Sequence, residues 1–424
     1  MTPTPSAASE YWARVDDELL AQRLRSASVV LIEGPRACGK TTTARQQASS
    51  EVLLDRTMAA MSAPSLDSLA ILDGPTPRLV DEWQFVPDIW GMVRRETDRR
   101  GTPGQFILTG SADPPADVKQ HSGVGRVARL RMRPMSLFES GLSDGAVSLR
   151  ALFDGEPCSA PAPAADLGDV AEAVCRGGWP LCRNMSADDA QDFVTDYLDE
   201  LAGGEVGAVD GTRRDPAGVA RLLGSLARNI SSEATLSTLA ADSGGERPSD
   251  PRTVSGYLAA LERLFVVEDV PAWAPRLRSR SRLRGASKRQ LVDPSLAAAA
   301  LGADRRHLLA DLETLGLLFE SLCVRDLRIL SRPLRATVSH YRDNTGLEVD
   351  TVIRRRNGDW VAVEIKLGGR AGVDAAAAAL LRLRDRVDTE HVGEPKRLIV
   401  LTATGFAYER TDGVTVTPIS CLGP

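Results

Sequence analysis

One short stretch restricts this chain more than any other: Gly34-Pro-Arg-Ala-Cys-Gly39-Lys40-Thr41, preceded by the apolar run SVVLIE and followed by TTARQQA. The spacing satisfies G-x-x-x-x-G-K-[ST], and the apolar run before it with a helix-like run after it is the context that gives the motif meaning. Glycines let backbone N–H groups turn inward around a phosphate, and a helix N-terminus adds favourable potential for an anion. Residues Gly34, Pro35, Arg36, Ala37, Cys38, Gly39, Lys40, Thr41 and Thr42 are therefore the expected grip on a nucleotide. Lys40 is expected to reach the β- and γ-phosphates, and the Thr41 hydroxyl to ligate Mg²⁺, which makes ATP and Mg²⁺ the expected cofactors.

The surroundings carry the same reading further. SVVLIE, EVLL, RLVD and QFILTG are short apolar runs separated by polar, helix-like stretches such as PDIWGMVRRETDRR. Buried strands alternating with helices predict a parallel sheet covered on both faces. LVDE (79–82) is an apolar strand ending in two carboxylates. Asp81 is placed for the magnesium shell and Glu82 for activating the attacking water. FILTGSA ends in Thr109 and Ser111, either of which can sense a γ-phosphate.

The order GPRACGKT, LVDEWQ, FILTGSA and GVGRVARLRMRPMSLFE resembles prokaryotic AAA+-type ATP-binding proteins whose ATPase domain joins a C-terminal DUF4143 domain. GGWP (177–180), VDPSLAAAALG (292–302) and LFESLCVRDL (318–327) extend the resemblance over nearly the whole chain. It implies an α/β fold: a P-loop NTPase parallel sheet of AAA+ type, then a winged-helix segment, then an α/β nuclease-like domain. It also offers Arg126, with Arg129 behind it, as an arginine near a phosphate, and by analogy a homo-oligomer.

In the segment that resembles a winged helix, LSTLAADSG precedes PRTVSGYLAALERL, whose Val254, Leu258, Leu261 and Leu264 share one face at helical spacing. Its outward positions are expected to carry Arg252, Ser255 and Tyr257, which suit phosphate or base-edge contact. A basic run follows with Arg276, Arg278, Arg280, Arg282, Arg284, Lys288 and Arg289 and no acid among them. Such a stripe predicts DNA as a partner even though the net charge is −5, because phosphate contact depends on local clustering. Aromatic residues make up only 4% of the chain, so base stacking is disfavoured.

Further on, Asp350 ends LEVD, and Glu364 and Lys366 sit on one face of the strand WVAVEIK. Glu320 lies in a helical row with Leu317, Val324 and Leu327, where a lone carboxylate needs a partner. Helix, three strands bearing D and E-x-K, then helix and strands resembles the PD-(D/E)xK nuclease core. That resemblance assigns metal to Glu320, Asp350 and Glu364, and water activation to Lys366.

The expected division is an ATPase domain over 1–145, a linker and helical segment over 146–214, a winged-helix-like unit over 215–275, a basic linker over 276–305 and a nuclease-like domain over 306–424. Six scattered cysteines without a CxxC pair predict reduced thiols. The first residues lack a signal-peptide pattern and no run of apolar residues is long enough to span a bilayer, so the expectation is a cytoplasmic protein with no membrane partner. Two functions fit: an ATPase that binds DNA and cuts it at Asp350, Glu364 and Lys366, or an ATP-dependent switch for DNA or a protein with a silent nuclease-like domain. A metabolic kinase is disfavoured, because no acceptor pocket is readable beside the loop.

Overall fold

The computed structural model describes residues 11–54, 71–86, 88–112, 125–161, 165–209, 211–245, 248–275 and 285–424. Strands β1 (Val29–Glu33), β2 (Ser50–Leu53), β3 (Arg78–Asp81), β4 (Phe106–Gly110) and β5 (Val127–Arg131) form a parallel sheet in the order β2-β3-β4-β1-β5. Every residue of β1 and β4 is buried, as a sheet covered on both faces requires. Leu31, Val80 and Leu108 pack toward Trp83, Trp90 and Val93 on one side. Val30, Ile32 and Ile107 pack toward Leu20, Leu24 and Ala44 on the other. This layering brings the C-terminal ends of β1, β3 and β4 side by side, where the loop and both carboxylates leave the sheet.

Beyond the two-residue strand β6 (Val147–Ser148) the chain turns helical: Leu167–Arg176, Ala187–Glu200, Pro216–Arg228, Leu236–Asp242 and Pro251–Arg263. Side chains at Asp166, Ser186, Asp215, Thr235 and Asp250 cap these helices, and proline opens two of them, where its missing N–H costs nothing. An antiparallel ribbon follows, β7 (Val267–Val270) with β8 (Lys288–Leu291).

The C-terminal sheet holds β9 (Ala336–Arg342), β10 (Glu348–Arg355), β11 (Trp360–Lys366), β12 (Arg397–Thr402), β13 (Tyr408–Glu409) and β14 (Thr415–Pro418) in the order β13-β14-β12-β11-β10-β9. β9, β10 and β11 are antiparallel neighbours, and β11 and β12 run parallel across the helix Arg370–Arg386. That helix covers one face through Val373, Leu380 and Leu383. The helix Leu312–Leu330 covers the other through Leu315, Leu318 and Leu322. A last strand, β15 (Leu422–Gly423), pairs in parallel with β6, and Ser143 Oγ donates to Leu422 O at 2.7 Å.

Three expectations change here. The span 276–305 is not a linker throughout: it contains β8 and the helix Pro294–Ala300, both buried in the same apolar core as the helices before it. Residues 276–284 of the basic run lie outside the described residues, while Lys288 is buried, drawn inward by carboxylates. Tyr257 is turned toward the helix Pro216–Arg228 rather than outward, with its hydroxyl accepting from Asp215 N at 3.4 Å. Arg252 and Ser255 are exposed as expected.

Charged side chains clamp these parts together. Glu268 of β7 pairs with Arg131 and Arg133 at 2.9 Å each and with Arg328 of the helix Leu312–Leu330. Arg332 pairs with Asp16 at 2.8 Å. Burial by itself would raise the Glu268 carboxyl, but the three guanidiniums outweigh it and hold the group at about 2. Its folded value lies below the ordinary 4.5, so its stabilisation is full above that value and drains as pH falls toward about 2. The shift corresponds to roughly 3 kcal/mol. Urea unfolding of wild type and Glu268→Gln is expected to show a gap of this order at pH 7 that narrows by about pH 3. A gap independent of pH would deny the carboxylate this role.

Candidate nucleotide site and a carboxylate–lysine centre

The loop after β1 is built as an anion cradle. Gly39 has φ +98° and Ala37 φ +58°, left-handed values that turn successive N–H groups to one side. A Cβ on Gly34 would stand 2.4 Å from Met132 O, so only glycine lets the loop pass the end of β5. Lys40 is buried and its Nζ donates to Gly34 O at 3.0 Å and Pro35 O at 2.7 Å. Arg14 props the loop from outside, donating to Cys38 O at 2.8 Å while it pairs with Glu139 at 3.0 Å.

The acidic arm meets the loop at Thr41. Thr41 Oγ1 donates to Asp81 at 2.9 and 3.1 Å, and Thr109 Oγ1 donates to the same carboxylate. Glu82 leaves β3 at φ +56°, a strained backbone for a non-glycine residue, which swings its side chain off the strand axis. Gln84 Nε2 and Ser111 Oγ both donate to Glu82 Oε2, the latter at 3.3 Å. Gln84 was not singled out in the sequence; its place one residue past Trp83 was the available signal.

These groups open on a cleft of 670 Å³ whose far wall is supplied by Pro180, Leu181, Phe193 and Tyr197. Tyr197 packs, tilted, 4.8 Å from Trp179, whose Nε1 donates to Ser295 Oγ at 3.0 Å. Arg36 reaches across to Glu200 at 3.4 Å and to Glu205. Burial raises the Glu205 carboxyl against the pull of Arg36. Arg126 is not at this cleft. It precedes β5, its carbonyl accepts from Val29 N at the start of β1, and its side chain pairs with Asp98 at 2.5 Å. Parallel strands put that position at the opposite end of the sheet from Lys40, so Arg126 cannot touch a phosphate held by its own chain. Arg129 pairs with Glu33 instead. The cradle, the ammonium and the hydroxyl–carboxylate pair Thr41–Asp81 fit a nucleoside triphosphate with its magnesium ion.

A second cluster forms where the helix Leu312–Leu330 crosses the C-terminal sheet. Lys366 Nζ lies 2.8 Å from Glu364 and 3.2 Å from Asp350. Asp350 also accepts from Ile365 N at 2.8 Å. Lys288 enters from β8 and donates to Glu320 at 2.9 Å, pairs with Glu348 at 2.9 Å, and approaches Asp350 at 3.9 Å. Burial, and then the Asp350 charge, push the Glu320 and Glu364 carboxyls up. The structure thus gathers Glu320, Asp350, Glu364 and Lys366, and adds Lys288, which the sequence placed in a solvent stripe. As the cluster stands, the expected metal ligands Glu320, Asp350 and Glu364 face ammonium groups. Two ammonium groups sit against the carboxylates, and among the described residues no group of three or more His, Cys, Asp or Glu side chains could hold a metal ion.

A buried network joins the two halves. Asp293 accepts from Gly178 N at 3.0 Å, Ser295 N at 3.0 Å and Arg325 at 2.8 Å. Arg325 also holds Asp326, which accepts from Leu137 N at 2.8 Å. Gly178 has no room for a side chain, since a Cβ would stand 2.0 Å from Met135 O.

Comparison with known proteins finds family matches to three stretches of the chain. Residues 26–140 match the AAA domain family, 167–307 a domain of unknown function termed DUF8612, and 315–422 the domain of unknown function DUF4143. Uncharacterized proteins of Mycobacterium bovis and Mycobacterium tuberculosis are each 31% identical over 128 residues. The match spans 29% of this chain and 29% of the length of those relatives. Among solved structures, the Walker-type ATPase PABY2304 of Pyrococcus abyssi overlaps 67% of this chain and 94% of its own, at 15% identity and TM-score 0.40. A single-residue variant of RuvB from Thermotoga maritima overlaps 61% of this chain and 87% of its own, at 17% identity and TM-score 0.27. An AAA-type P-loop domain and a DUF4143 domain thus occupy the two ends of the chain.

Proposed function

We propose that this chain binds and hydrolyses ATP at the first cleft, binds DNA through its middle segment, and acts as an ATP-dependent switch. The observation that carries the reading is the Thr41–Asp81 hydrogen bond above a cradle with Lys40 beneath it. A magnesium ion held by Thr41 and Asp81 would supply charge neutralisation on the phosphates. Lys40 gives up two backbone carbonyls and turns its donors to the anion. Glu82, steadied by Gln84 and Ser111, orients the attacking water and takes its proton. With Arg126 at the far end of its sheet, a transition-state arginine comes either from Arg36 or from a second copy of the chain in a homo-oligomer.

Three helices followed by the β7–β8 ribbon support a winged-helix reading of the middle segment, with Arg252 and Ser255 exposed on its last helix. Six buried free cysteines suit a cytoplasmic setting, and among the described residues no helix is long and apolar enough to cross a membrane.

A silent second centre is favoured over a nuclease by the lysines that already compensate its carboxylates. Plasmid and single-stranded DNA incubated with Mg²⁺ or Mn²⁺ are expected to stay intact with wild type and with Lys366→Ala alike. Metal-dependent cleavage by wild type that Lys366→Ala loses would restore the nuclease reading.

A further inference from the structure

A broad cleft of 1220 Å³ lies away from the nucleotide site, between three parts of the chain. One wall is the end of the helix Val15–Ser26, a second is formed by 271–273 with Gly285 and Ser287, and the third by the β9–β10 end of the C-terminal sheet. Among the described residues seven arginines line it, and no aspartate or glutamate does. Two of them serve the fold: Arg332 is bound to Asp16, and Arg355 to Asp154 at 2.7 Å while it lies over the Phe153 ring. The other five, Arg23, Arg25, Arg335, Arg354 and Arg356, have no carboxylate partner among the described residues. Arg25, Arg335 and Arg356 are exposed.

Five guanidiniums around one concavity, uncompensated among the described residues in a chain whose net charge is −5, make a local field opposite in sign to the whole. Such a field draws a polyanion. The surface is concave, which suits a rod of phosphates better than a flat bilayer. Among the described residues its one large aromatic, Trp273, is 7% exposed and already packed, tilted, 4.9 Å from Trp360, so unpaired bases find no stacking platform. In sequence the basic run 276–284 lies between Trp273 and Gly285, both of which line the cleft. Ser339 and Ser287 face it, while the neighbouring Lys288 is buried against Glu320 of the carboxylate centre and the neighbouring His340 is buried with Nε2 2.9 Å from Ala286 O.

We propose that this cleft holds the phosphodiester backbone of a nucleic-acid duplex, independently of sequence. The proposal rests on the DNA reading above and gives the duplex a second seat besides the helix Pro251–Arg263. The test is fluorescence anisotropy of the full-length protein with labelled DNA and RNA duplexes of about three turns, over roughly 50 to 200 mM salt. The combined variant Arg25→Ala, Arg335→Ala, Arg356→Ala is compared with wild type and with a variant neutralised across 276–284. Thermal unfolding checks that each variant is folded.

Wild type is expected to bind at least one duplex with a steep salt slope. The triple variant is expected to lose about three units of that slope and on the order of a hundredfold in affinity near 0.1 M salt. Binding unchanged in the triple variant but lost in the 276–284 variant would overturn the cleft and leave the DNA reading standing. No duplex binding by wild type, or preferential capture by anionic vesicles, would overturn both.

Discussion

Replacing Glu82 by glutamine is expected to leave ATP affinity within about threefold of wild type and to lower kcat by roughly 10² to 10⁴. The substitution keeps size and hydrogen-bonding reach, so Gln84 and Ser111 still find an acceptor oxygen. What disappears is the ability to take a proton and to hold the water through a full negative charge. The left-handed backbone at this position, φ +56°, is tolerated by glutamine as by glutamate, and the turn after β3 survives. Asp81, Thr41 and Lys40 keep their contacts, which is why binding is spared. Steady-state phosphate release paired with a direct binding measurement separates the two effects. Turnover equal to wild type would move the general base to another residue.

The second large effect concerns stability. Asp293→Ala is expected to cost about 3 to 5 kcal/mol, the range for removing one side of a buried ion pair. Asp293 is fully buried and its carboxylate serves Gly178 N, the Ser295 backbone and hydroxyl, and Arg325 at once. Its loss leaves the Gly178 N–H without an acceptor and Arg325 with only Asp326. The damage falls on the turn that places Trp179 and Pro180 beside the nucleotide cleft, so ATP affinity is expected to weaken along with the unfolding midpoint. Urea unfolding measures the first and calorimetry the second. A variant within 1 kcal/mol of wild type would show that the network is dispensable.

The loop and its acidic arm were legible because their geometry is local: spacing alone puts Lys40 and Thr41 at a helix start and Asp81 at a strand end. The E-x-K strand was legible for a similar reason, since alternation carries Glu364 and Lys366 to one face. Lys288 was misplaced because its neighbours are basic and exposed-looking, whereas its burial is decided by Glu320 on a helix that follows the ribbon. The end of the sheet at which Arg126 stands is not legible without strand direction. Arg126 stands where β5 begins, and only the parallel pairing with β1 shows which end that is. Tyr257 was assigned to the outer face of its helix, but Gly218 leaves room for its ring on the inner one. Nothing in the sequence links Arg36, Tyr197 and Glu205, since the cleft they share is made by segments far apart in the chain.

The most direct test is a calorimetric titration of folded Glu82→Gln protein with ATP and Mg²⁺, in which turnover cannot obscure binding. One saturable site per chain is expected, and it is expected to vanish when Lys40→Ala is added. Folded protein that gives no saturable heat with ATP, or the same heat with and without the Lys40 ammonium, would contradict the account.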